Sequence, residues 1–163
     1  MNLITAPVHV YGDNIDTDRI IPGKYTKTLD LSHLAKHVFE DLDPTFKDRV
    51  QPGDILAAGE NFGCGSSREQ APLALKAAGV SAVVATYFAR IFFRNAINIG
   101  LPVVEIGPHD IQPGSLITID LLSGIVTDNA KNKVYAAAKM PVVMVDILQA
   151  GGLVSYLQKY KTY

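Results

Sequence analysis

From Ile55 to Ile106 the chain alternates short, unbroken apolar runs with helical patterns, and no other feature limits its possible folds so strongly. Ile55 to Ala58 reads as a buried strand, Gln70 to Ala78 as a helix stopped by Gly79, and Val83 to Thr86 as a strand. Tyr87 to Ile99 predicts a second helix, closed by Gly100 and Pro102, and Pro102 to Ile106 another strand. A strand–helix–strand–helix–strand order implies a short parallel sheet covered by helices.

The flanking segments have a different texture. Val8 to Tyr11 alternates apolar and polar residues and ends at Gly12, predicting a strand. Gly12 to Thr28 is rich in Asp, Gly and Thr and reads as a long surface loop, a kind of segment that is more often functional than idle. Leu31, Leu34, Ala35 and Val38 share one helical face, so a short helix fits residues 31–40. After Gly107, Ser115 to Asp120, Gly124 to Thr127 and Lys133 to Ala137 are short β runs separated by turns, predicting antiparallel strands that pair with the N-terminal one. Leu148 to Tyr160 is predicted helical and interrupted at Gly151-Gly152, with Val154, Leu157 and Tyr160 at helical spacing. The fold class is α/β: one domain over residues 1–163, with a parallel half and a mixed β half.

Bulk properties remove several function classes. With 48% apolar and 19% charged residues, the composition is that of an ordinary globular chain. A formal net charge of −1 leaves no electrostatic footprint for nucleic acid or an anionic membrane. No apolar run approaches a membrane span and residues 1–30 lack a signal layout, so the cytoplasm is the expected location. A lone cysteine, Cys64, excludes an internal disulfide framework and any metal or iron–sulfur centre held on thiolates of this chain alone.

Chemistry concentrates in Glu60 to Gln70, ENFGCGSSREQ, set between the Ile55 strand and the Gln70 helix. Gly63 and Gly65 allow positive φ and close approach to a ligand, Ser66 and Ser67 bring hydroxyls and free N–H groups, and Arg68 brings a fork suited to a carboxylate or phosphate. The plain alternative is a capped helix, because Ser66-x-x-Glu69 and Ser67-x-x-Gln70 both match a capping box. Capping alone does not require two glycines, two serines and an arginine together, which favours an anion site. Pro72 is expected in the first helical turn, where a missing N–H costs little. Neither the P-loop nor the dinucleotide glycine pattern is present, and GCGSS is not a nucleophile elbow.

Other candidates have ordinary alternatives. Asp13, Asp16 and Asp18 resemble a hard-metal loop at a glance, but the glycine and glutamate of an EF-hand are missing, and a structural loop with Asx-turns is the ordinary alternative and the favoured one. Lys24 and Lys27 could reach a substrate carboxylate or be merely solvated. Arg90 and Arg94, spaced i,i+4, read as structural or intersubunit residues. His33, His37 and His109 read as structural or surface residues, and Cys64 as a small residue in a tight turn.

Four segments, GDNIDTDRIIPG, GENFGCGSSREQA, FARIFFRNAINIGL and AGGLVSYL, together resemble the small-subunit family of isopropylmalate isomerase and its homoaconitase relatives in the aconitase superfamily. The resemblance spans nearly the whole chain in the family's order. It implies the swivelling β/β/α fold, like the fourth domain of aconitase, and a large partner subunit carrying a [4Fe–4S] cluster on three cysteines. By the same resemblance Ser66 is the catalytic base, Arg68 binds a substrate carboxylate, and Asp18 matches an active-site aspartate. Ser67 and Gly65 lie in the substrate pocket, and Tyr25, Thr26, Lys27 and Thr28 occupy the specificity position. Homoaconitase-type chains read YLRT there, whereas this chain reads YTKT: Lys27 keeps a positive charge without the guanidinium fork, and Thr26 replaces a larger apolar residue.

The implied activity is a hydro-lyase that isomerises 2-isopropylmalate to 3-isopropylmalate in leucine biosynthesis. Homoaconitase and a methyl-substituted malate (citraconate-type) dehydratase are alternatives within the class, and a non-catalytic dicarboxylate-binding module is one outside it. Removing a proton beside a carboxylate builds charge on that carboxylate, which Arg68 is suited to stabilise while Ser66 accepts the proton.

Overall fold

The computed structural model describes residues 3–160, built around a seven-stranded sheet. Its elements in chain order are β1 (Leu3–Val10), α1 (Thr17–Ile20), a 3₁₀ turn (Gly23–Tyr25), α2 (Leu31–His37), α3 (Phe46–Arg49), β2 (Ile55–Ala58) and α4 (Gln70–Ala77). They continue with β3 (Ala82–Ala85), α5 (Arg90–Asn98), β4 (Val103–Glu105), β5 (Leu116–Asp120), β6 (Ile125–Asp128), β7 (Lys133–Ala136), α6 (Val142–Gln149) and α7 (Leu153–Tyr160).

The strand order is β4-β3-β2-β1-β5-β6-β7. The first four strands are parallel, and β5 to β7 are antiparallel to their neighbours, so β1 is the hinge between the two halves. Each parallel step, β1 to β2 to β3 to β4, moves the same way across the sheet. Right-handed crossovers then place their helices on one face, and α2 packs on α4 and α4 on α5. Every residue of β2 and β3 is buried, as expected for strands covered on both sides. The second cover is the sheet itself. Val103 and Glu105 of β4 share a cavity of about 200 Å³ with Asp120 of β5, although three strands separate β4 from β5. The antiparallel half has curled back toward the parallel edge.

Strand pairing agrees with the sequence expectation in both halves, including the pairing of β1 with β5. Gly79 lies at φ +111° just beyond α4, as the helix stop required. Three expectations are corrected. Gly12 to Thr28 is not a surface loop: it contains α1 and the 3₁₀ turn, and Ile15, Thr17, Ile20 and Ile21 are buried. Its polar composition conceals the anchors because they are spaced irregularly. The last helical region begins at Val142, earlier than Leu148, since Pro141 supplies a sharp start at the N-cap. Val154 and Tyr160 of α7 are 69% and 50% exposed, so their helical spacing does not mark a core face.

Candidate functional site

The serine turn leaves the carboxyl end of β2 and is shaped by positive φ at Asn61 (59°), Gly63 (84°) and Gly65 (97°). Gly63 is fixed by sterics as well as by φ: a Cβ there would lie 2.2 Å from Cγ of Phe92. Beneath it Phe62, Phe88 and Phe92 pack together, with Phe62 edge-on to both partners, which makes the turn's floor rigid. Gly65 brings its backbone against Thr17, whose Oγ1 lies 3.3 Å from where a Cβ would stand.

The Asp13–Thr17 segment runs beside the turn and is tied to it. Asn14 N donates to Glu60 O (2.8 Å), Gly63 N to Ile15 O (2.8 Å) and Thr17 N to Cys64 O (2.8 Å). The three aspartates then diverge to separate partners. Asp13 Oδ1 accepts from Glu60 N (2.7 Å), Asp16 Oδ1 caps α1 by accepting from Arg19 N (2.8 Å), and Asp18 pairs with Arg68. This supports the structural reading of the loop over a metal-binding one.

The capping alternative for the serines is not realised. Glu69 is the N-cap of α4 without a side-chain cap bond, and the Gln70 amide instead donates to Thr26 O at 3.0 Å. Pro72 sits buried in the first turn, as expected. Ser66 and Ser67 are exposed. Among the described residues, neither their hydroxyls nor the backbone N–H groups of Gly65 to Arg68 have an intramolecular partner. The result is a row of free donors at the mouth of a helix, beside two free hydroxyls.

Arg68 lies at the edge of this row. Its Nη1 donates to Asp18 Oδ1 and, at 3.5 Å, to Ile21 O. Nη2 faces the Gly23 Cα, where a Cβ would stand 3.2 Å away. The Arg68 side chain is 22% exposed and that of Asp18 is 65% exposed. An ion pair whose acidic half is so exposed is weak and exchangeable, so the guanidinium is held in place yet open to a second carboxylate.

In Tyr25 to Thr28, the segment expected to face the substrate, the side chains divide between packing and solvent. Tyr25 stacks on His37, with centroids 3.7 Å apart and planes 6° apart, and its phenol donates to Glu40 Oε1 at 3.3 Å. Thr26 Oγ1 donates to Gly23 O (2.7 Å), and Thr28 Oγ1 accepts from Asp30 N (3.0 Å). Lys27 is exposed and has no partner among the described residues. Sequence reasoning named these four residues but missed Gln70, His37 and Glu40, which hold them. Local spacing makes Gln70 half of a capping box, and no local pattern links Tyr25 to a histidine on α2. His37 Nδ1 lies 2.9 Å from Glu40 Oε1 and donates to it; that bond holds the Glu40 carboxyl below its usual range. Cys64 is half-buried in the turn, while Arg90 and Arg94 stand exposed on α5 without an ion-pair partner among the described residues.

The Aconitase C-terminal domain family model matches residues 43–108. The chain is 53% identical over 160 residues to the 3-isopropylmalate dehydratase small subunit of Nautilia profundicola, covering 98% of this chain and 96% of that one. It is 54% identical over 158 residues to the small subunit of the same name from Caldicellulosiruptor bescii, covering 96% and 95%. The crystal structure of 3-isopropylmalate dehydratase from Methanocaldococcus jannaschii superposes with a TM-score of 0.91 at 46% identity, covering 98% of this chain and 95% of that one. Aconitase X of Thermococcus kodakaraensis, at 15% identity and a TM-score of 0.50 over 84% of this chain and 91% of its own, shares the fold alone.

Proposed function

The chain belongs to the 3-isopropylmalate dehydratase small-subunit family of the aconitase superfamily, and from that premise we propose that it forms the base-and-clamp half of a hydro-lyase active site completed by a large subunit. The reaction is the isomerisation of 2-isopropylmalate to 3-isopropylmalate in leucine biosynthesis, carried out in the cytoplasm. Residues 1–163 act as one swivelling domain. The observation that carries this reading is the row of free N–H donors and exposed serine hydroxyls set beside the exchangeable Arg68 guanidinium.

Arg68 receives the substrate carboxylate adjacent to the carbon that loses its proton. Two parallel N–H···O bonds fix that carbon's orientation and take up the charge that grows on the carboxylate. Ser66 Oγ, as alkoxide, takes the proton. The free N–H groups of Gly65 to Arg68 and the Arg68 charge stabilise the oxyanion. Loss of the proton from one carbon and of hydroxide from the next leaves an alkene. Returning the proton and hydroxide to exchanged carbons completes the isomerisation with no net change in composition. Ser67 and Gly65 line the same mouth, and Asp18 holds Arg68 until substrate arrives. A [4Fe–4S] cluster held by the large subunit would supply Lewis-acid chemistry at the hydroxyl that departs. One cysteine in this chain does not fit three-thiolate ligation, so the cluster is assigned to the partner.

Lys27 favours a second reading within the class. An exposed ammonium without an acidic partner among the described residues, on the segment beside the clamp, suits a third carboxylate and hence the homoaconitate series. Reconstitution with the large subunit and assay on 2-isopropylmalate, homoaconitate and citraconate decides between them. Turnover of isopropylmalate is expected, and activity confined to the tricarboxylic substrate overturns the assignment. Dicarboxylate binding by the isolated chain, with no activity on reconstitution, would identify a non-catalytic module.

A further inference from the structure

The wall beside the Arg68 clamp is held by side chains from the start of α4 and from the end of α2. Gly23 abuts the guanidinium, so any carboxylate gripped there has the Gly23–Lys27 backbone as its neighbour. Contacts from Gln70, His33, His37 and Glu40 set where that backbone lies. Gln70 Nε2 donates to Thr26 O at 3.0 Å. The Tyr25 ring is stacked flat on His37, at 3.7 Å between centroids, and edge-on to His33 at 5.6 Å. Glu40 Oε1 accepts from both His37 Nδ1 (2.9 Å) and the Tyr25 hydroxyl (3.3 Å), which locks ring against ring.

Two of these links reach different parts of the fold. Gln70 begins the helix that follows Ser66, Ser67 and Arg68, so it ties the wall to the turn that carries the base. His37 ends α2 and Glu40 follows it, and Phe39 N between them donates to Ile20 O (2.8 Å) just ahead of the wall. The wall is therefore clamped between α4 and α2, and its tip has no freedom to shift without breaking one of the links.

We infer that Gln70, His37 and Glu40 are positioning residues that set the distance between the Thr26–Lys27 tip and the Arg68 clamp, and through it the size of substrate substituent the site accepts. This rests on the dehydratase reading above. Tyr25 then acts as an anchor and not as a substrate contact, because its ring face and its hydroxyl are both engaged.

The test uses the reconstituted two-subunit enzyme and three malates that differ only in the 2-substituent: isopropyl, ethyl and methyl. Gln70→Glu keeps the side-chain length but turns an acceptor toward the Thr26 carbonyl. Gln70→Lys keeps a donor. His37→Phe keeps the stack but removes the bond to Glu40. For Gln70→Glu and His37→Phe, KM for the isopropyl substrate is expected to rise about fivefold to tenfold, the effect of one lost hydrogen bond of ordinary strength. The isopropyl-to-methyl ratio of kcat/KM is expected to fall by a similar factor, with Gln70→Lys restoring most of it. A general folding defect would lower activity on all three substrates in parallel and leave the ratio unchanged. A wild-type ratio in both Gln70→Glu and His37→Phe overturns the inference, and His37→Phe alone decides if Gln70→Glu does not assemble. Failure of the wild-type enzyme on every malate overturns the dehydratase reading and this inference with it.

Discussion

Arg68 closes on Asp18 across fifty positions of sequence, and this contact joins the serine turn to the segment that follows β1. The guanidinium is mostly enclosed while the carboxylate faces solvent. Such a pair fixes the arginine's direction without consuming its capacity, since most of its five N–H groups remain for another acceptor.

Ser66→Ala removes one exposed hydroxyl with no intramolecular partner among the described residues. Turnover by the reconstituted enzyme should fall by about 10²–10⁴-fold, the usual range for loss of a general base. Assembly with the large subunit should be unchanged on a sizing column. Near-normal turnover would remove Ser66 from the role of base.

Arg68→Lys retains the charge but loses the fork. We expect kcat/KM to drop about tenfold to a hundredfold, with both KM and kcat affected, as the proposed grip on the carboxylate before and during proton transfer requires. Steady-state kinetics that showed a change in KM alone would mean that the contact serves binding and not the chemical step.

Gly63→Ala places a methyl group 2.2 Å from Phe92 Cγ at a φ of 84°. Overpacking and backbone strain together should cost about 2–4 kcal/mol, read as a lower urea midpoint for the isolated chain. An unchanged midpoint would show that the turn's aromatic floor yields easily.

Tyr11 and Asp43 should shape both limbs of the stability–pH curve. The Tyr11 hydroxyl donates to Asp43 Oδ2 at 2.6 Å. That bond holds the Asp43 carboxyl below its ordinary 3.8, and burial followed by the same bond raises the Tyr11 phenol well above 10. Asp43 thus stabilises the fold above about pH 4, and the gain is lost as acid protonates the folded carboxylate. Tyr11 stabilises it below about pH 10, and the gain fades as pH rises from there toward the folded value. Denaturant titrations should show a shallower acid limb in Asp43→Asn and a shallower alkaline limb in Tyr11→Phe; wild-type slopes in both variants would contradict the assignment.

The amino-acid sequence by itself determined the strands and helices from Ile55 to Ile106 and the parallel–antiparallel division of the sheet, but not the short helices between Gly12 and Thr28. The reason is local: the wholly apolar four-residue runs at Ile55–Ala58 and Ala82–Ala85, and the glycine that ends α4, act over one or two turns of chain. It also marked the serine turn, because two glycines beside two serines and an arginine exceed what a helix start needs. What the site's parts do to one another was decided only by tertiary structure. Asp18 meets Arg68, Gln70 reaches Thr26 across 44 positions, and Tyr25 lies on His37 because α1, α2 and α4 are packed on the same face of the sheet. Gln70 shows the difference most clearly: local spacing makes it a capping residue, and folding turns its amide to the carbonyl of a distant turn. A hydrogen bond is satisfied by whichever partner the packed chain brings within 3 Å, and that partner is set by how the elements dock.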